Sequence, residues 1–135
     1  MIKNLAFSAF ILMVIFINAC AQNQEIQEKG ILQGKIMIGP LCPVERIPPD
    51  SNCQPTEETY KAWPISVWTQ NKMTKIGQII PSADGSFRME LQAGNYVVDF
   101  DKQQPVIGKR NLPATVIIKS GETTNLDIDI DTGIR

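Results

Sequence analysis

From residue 30 onward, apolar and polar side chains alternate in short runs separated by turn residues. Phe87, Met89 and Leu91 fall on one side of a strand and Ser86, Arg88 and Glu90 on the other. Tyr96, Val98 and Phe100 repeat the pattern against Val97, Asp99 and Asp101. A period of two marks a half-buried strand. Ala93-Gly94-Asn95 and Asp84-Gly85 supply residues that tolerate positive φ, so hairpins are expected before and between these two strands. Further strands are predicted at 34–38, 65–69, 74–80, 115–119 and 123–131, the last two joined through Ser120-Gly121. No window carries a helical period. Seven such strands hide their apolar faces by packing as two sheets, which predicts an all-β, seven-stranded antiparallel sandwich, with a small barrel as the alternative.

The chain begins differently. Lys3 precedes an apolar run over 5–17 that stops at Asn18-Ala19-Cys20. The run is short of the roughly 20 apolar residues that a membrane-spanning helix needs, so a cleaved secretory signal is expected. It resembles a bacterial lipoprotein signal, in which cleavage falls before a cysteine preceded by a small residue and, two positions earlier, an aliphatic one. Ala19 and Ile17 occupy those places. The resemblance implies removal of 1–19, fatty acylation of Cys20, a polar tether over 20–29 and one domain over 30–135, held at the cell envelope by lipid. Ala21 lacks the acidic inner-membrane retention signal of some bacteria, which favours the outer membrane where that rule applies.

With the Cys20 sulfur carrying lipid, Cys42 and Cys53 remain as the internal disulfide expected in an oxidising compartment. The ten residues between them are rich in proline and polar side chains and read as a loop. A metal or redox pair is the rival reading, but two cysteines without histidine make half a zinc site.

Composition narrows the chemistry. The chain has no histidine, which removes Ser-His-Asp and Cys-His nucleophile pairs and the usual zinc ligand sets. Gly39-Pro40-Leu41 is followed by cysteine and proline and is no phosphate loop. There are 13 Lys and Arg against 14 Asp and Glu, and the signal removes only Lys3, so the mature body is net negative and suits no nucleic acid partner. Lys109-Arg110, the densest basic spot, reads as a solvated loop.

Asp84-Gly85-Ser86-Phe87, Leu91, Gly94-Asn95-Tyr96-Val97-Val98, the Gly121 turn and the alternating last strand together resemble the carboxypeptidase regulatory-like domains, within the transthyretin-like or prealbumin-like sandwiches. Gly39 to Val44, Cys53 and the closing 131–135 resemble a subgroup of small exported bacterial proteins. These motifs mark a fold and carry no catalytic residues.

Three constellations are candidates for function. Asp127, Asp129 and Asp131 alternate on the last strand about 7 Å apart, a row that reads as a solvated face guarding a sheet edge more than as a calcium site. Tyr60 and Trp68 are possible binding aromatics, because Ile65 and Val67 claim the core side of their strand and leave Ser66 and Trp68 opposite. The expectation is that the proline-rich loop covers Trp68. Lys35, Asn125 and Glu90 have the residue types of the intramolecular crosslink of some surface sandwiches, but Lys35 is expected in water, a poor nucleophile there. The reading is therefore a lipid-anchored envelope structural or binding accessory, not an enzyme, with no cofactor or metal. Its partner would be an envelope protein or a glycan met through Tyr60, Trp68 and the Cys42–Cys53 loop. A carboxylate-dependent hydrolase is the remote alternative.

Overall fold

In the computed structural model, which describes residues 28–44, 46–101 and 111–134, one long strand organises the first of two sheets. Strand β1 runs from Lys29 to Gly39, beginning five residues before the expected start. On one side it pairs antiparallel with β4 (Ser86–Gln92), Gly34 facing Phe87 and Leu32 facing Met89. On its other side lie β7 (Thr123–Asn125) and β8 (Ile128–Asp131), both parallel to it. The second sheet has the order β3 (Lys75–Ile79), β2 (Ile65–Thr69), β5 (Gly94–Phe100), β6 (Ala114–Ile118), antiparallel throughout.

The sandwich is thus the expected one, with a correction to its pairing: first and last strands run parallel. Alternation along a strand sets which side chains turn inward but contains no strand direction. The expected last strand over 123–131 is also interrupted, at Leu126 and Asp127. There Leu126 N–H donates to Gln33 O at 2.8 Å, and the Asp127 side chain accepts from Lys35 N–H at 3.0 Å, so a carboxylate replaces a ladder carbonyl. Gly34 makes this possible. A Cβ at that position would lie 1.9 Å from Leu126 O, so only glycine lets the bulging backbone approach β1.

The core lies between the sheets, where Leu32, Ile36, Val67, Val98, Ile128 and Ile130 are buried with Tyr96 and Phe100. Strand β5 departs from the half-buried expectation. Its core-facing side is buried as predicted, but Val97 and Asp99 on the opposite side are buried too.

A short helix was not predicted. Thr56 caps α1 (Glu57–Ala62) in a reciprocal box: Thr59 N–H donates to Thr56 Oγ1, and Thr56 N–H to Thr59 Oγ1 at 3.0 Å. Glu57 and Glu58 in its first turn and Lys61 in its last complement the helix dipole. It sits between the Cys42–Cys53 loop and β2 and turns Tyr60 into the core.

Candidate functional site

At the end of β1 the chain leaves the sheet through Gly39 and Pro40, where Thr132 closes the neighbouring end of β8. Its N–H donates to Gly39 O at 3.2 Å and its hydroxyl to Pro40 O. Beyond this point Cys42 and Cys53 are joined, their Cα atoms 5.5 Å apart and 11 positions apart in sequence. Asp50 then caps the 3-10 turn Ser51–Cys53, its carboxylate accepting from Asn52 N–H at 2.9 Å. These ties hold a loop whose prolines exclude regular structure. Together with the end of β1 it surrounds a half-open cavity of about 540 Å³, walled by Ile38, Pro40, Leu41, Val44, Ile47 and Pro55. That volume is in the ordinary range of ligand pockets.

Arg46 is at the cavity and exposed, and no carboxylate among the described residues forms an ion pair with it. Two large apolar side chains beside it face water, Val44 at 67% and Ile47 at 100% exposure. The sequence reading included this loop in the binding surface but not the cavity or Arg46. Three-dimensional closure of the bridge against β1 creates the cavity, and no local pattern announces it.

The two aromatics expected to share this surface are separated. Tyr60 is a core residue, and burial, followed by the nearby Asp84 charge, pushes its phenol pKa up. Trp68 is half-buried on the outer face of the second sheet, outside the core cluster. Across the sheet it stands opposite Lys75 on β3 and Val97 on β5. Lys75 Nζ donates to Asp101 at 2.9 Å and Lys72 Nζ to Asp99 at 2.5 Å. Since Thr69 faces Tyr96 whereas Ser66 faces Asp99, the Lys72 side chain reaches back from its turn past the Trp68–Val97 pair. Trp68 Nε1 and Ser66 Oγ are buried on this face without a hydrogen-bond partner among the described residues.

The remaining candidates lie on the outer face of the other sheet. Lys35, Asn125 and Glu90 are all exposed there. Asn125 Oδ1 accepts from Gln33 at 3.1 Å, and Glu90 is 3.7 Å from Lys29 Nζ. Arg88 donates to Gln33 at 3.0 Å, which makes this face a hydrated polar ladder without the dry surroundings that a lysine nucleophile needs. The aspartate row does not form one continuous strand face: Asp127 caps Lys35 N–H, and Asp131 accepts from Gly133 N–H at 2.9 Å. No group of three potential metal ligands occurs among the described residues. No helix among them is long and apolar enough to cross a membrane. Cys20, the signal and Lys109-Arg110 lie outside the described residues.

No family model matches the chain, and no curated protein does. Among solved structures it is similar to GBS52, a minor pilin of Streptococcus agalactiae, at 15% identity and TM-score 0.50, over 77% of this chain and 44% of that one. A DUF3823 family protein from Parabacteroides merdae is similar at 14% identity and TM-score 0.46, over 77% of this chain and 46% of that one. BcpA, the major pilin subunit of Bacillus cereus, is similar at 14% identity and TM-score 0.47, over 76% and 29%. The chain spans less than half the length of each. The likeness to the streptococcal pilin is one of fold.

Proposed function

We propose that this chain is a non-catalytic, lipid-anchored accessory of the cell envelope that presents its disulfide-closed pole to a partner. The direction of β1 carries this reading. The chain enters the sandwich at Lys29, between two turns that bond to it: Ala93 N–H donates to Glu28 O at 3.0 Å and Gly121 N–H to Lys29 O at 2.8 Å. Eleven residues later, about 35 Å along an extended strand, β1 ends at the Cys42–Cys53 pole. A body anchored through Cys20 by a short tether holds its entry turns toward the membrane and the cavity away from it. Tyr60 is in the core, and the hollow of about 350 Å³ on the outer face of the first sheet, lined by Gln33, Ser82, Ser86 and Arg88, is smaller and more polar than the cavity at this pole.

The absence of histidine and of clustered metal ligands among the described residues supports a binding role over catalysis. Intact mass of protein extracted from membranes tests the anchor: loss of 1–19 and gain of acyl chains on Cys20 is the expected result. A soluble product with a free Cys20 thiol overturns it.

A further inference from the structure

We infer that the cavity at the Cys42–Cys53 pole binds an extended peptide segment of a partner protein, one that carries a carboxylate beside aliphatic side chains. This rests on the reading of the domain as a binding accessory, though not on the lipid anchor. Three observations specify the occupant.

The cavity walls are aliphatic and proline-rich, and Val44 and Ile47 stand exposed at it, an arrangement that costs free energy until apolar side chains cover them. Arg46 supplies the charge. A guanidinium that pairs with no carboxylate among the described residues is available for bidentate pairing, and it adds direction to an otherwise greasy groove. Asp50 does not compete, because its carboxylate caps the 3-10 turn.

The third observation separates a peptide from a simple amphipathic anion. Within the loop, the backbone N–H groups of Leu41, Cys42, Val44 and Ile47 make no hydrogen bond to another described residue. Open backbone donors in a loop that also lines an apolar cavity can pair with the carbonyls of an extended chain while its side chains fill the cavity. The disulfide and the prolines hold the loop in shape before binding, which lowers the ordering cost of association.

Selection of phage-displayed random dodecapeptides on the oxidised mature domain tests this. The expected result is enrichment of sequences that place Asp or Glu next to Leu, Ile or Val. Binding of a synthesised selected peptide should weaken at least tenfold in Arg46→Ala and be lost in Ile47→Asp, whereas Lys35→Ala, on the other sheet face, should leave it unchanged. Arg46 and Ile47 are exposed, so both variants should keep the wild-type circular dichroism. Failure to enrich, enrichment of basic or neutral peptides, or undiminished binding by Arg46→Ala overturns the inference. Saturable binding of phosphatidylglycerol vesicles through Arg46 and Ile47 in place of peptide also overturns it. A free Cys20 in the mass measurement would remove the anchor while leaving these outcomes intact, so the two failures are distinguishable.

Discussion

Lys72 and Asp99 form a 2.5 Å ion pair across the outer face of the second sheet, between a turn residue with φ of 57° and a carboxylate only 4% exposed. The lysine is half in water, so the pair is worth less than a fully buried one, yet removing the cation leaves a desolvated acid without its nearest positive charge. Lys72→Met should therefore cost about 1–3 kcal/mol in urea denaturation. In an Asp99→Asn background the same change should cost clearly less, and an equal cost in both backgrounds would show that the pair contributes nothing.

Ser66 lies beside this pair with its hydroxyl fully buried and unpartnered. A buried polar atom without a hydrogen bond is a standing penalty, so Ser66→Ala should raise stability by about 1 kcal/mol. Trp68→Phe deletes the other unpartnered group of this face and should cost less than its lost ring area implies, whereas Trp68→Ala should cost about 1–2 kcal/mol as expected for a half-buried ring. Chemical denaturation of the three variants checks the ordering.

Cys42→Ser/Cys53→Ser removes the bridge that closes the binding pole. The loop is short, and the chain-entropy estimate for such a loop is about 3 kcal/mol, reduced by the prolines that already restrict the unfolded chain. The variant should unfold at lower denaturant with its β-sheet circular dichroism intact, since β1 to β8 lie outside the loop. Peptide affinity should fall further than stability does.

Gly34→Ala drives a methyl group into the Leu126 carbonyl, which is backbone and cannot swing away. Relief requires β7 and β8 to separate from β1, and the cost should be about 3 kcal/mol or enough to prevent folding. Gly39→Ala, at the end of the same strand where a Cβ meets nothing, is the matched control and should change stability little.

Acid should loosen the turn before β4. Hydrogen bonds from the Ser86 hydroxyl at 2.6 Å and the Ser86 N–H at 3.0 Å hold the Asp84 carboxyl below its ordinary pKa. A depressed folded-state pKa means that this contribution is complete above the unfolded value of about 4 and is lost as pH falls through the lower folded value. Asp84→Asn should flatten the acid limb of the stability profile by lowering stability near neutrality, while changing it little at low pH where the carboxyl is already protonated.

The strands and their inward faces were legible in the alternation of the chain. Phe87, Leu91, Tyr96, Val98 and Phe100 point into the core as their alternation required, and the turns at Gly85 and Gly121 have the positive φ that those glycines permit. These are local properties, set by the two-residue period of a strand and by backbone sterics. Helix α1 was written less clearly: six residues are too few to display a period, though the Thr56 and Thr59 cap was a readable sign. Other features depend on residues distant in the chain. The parallel run of β7 and β8 beside β1 follows from how the last strand returns, and the glycine at 34 has meaning only once Leu126 arrives against it. Val97 and Asp99 are buried on the side opposite the core, which the alternation of a single strand cannot express. The separation of Tyr60 from Trp68, and the placing of Arg46 beside the aliphatic cavity, come from the packing of loop, helix and two sheets against one another. Periodicity specifies the side of a strand on which a residue lies; the other elements that meet it there are chosen by the packing of the whole chain.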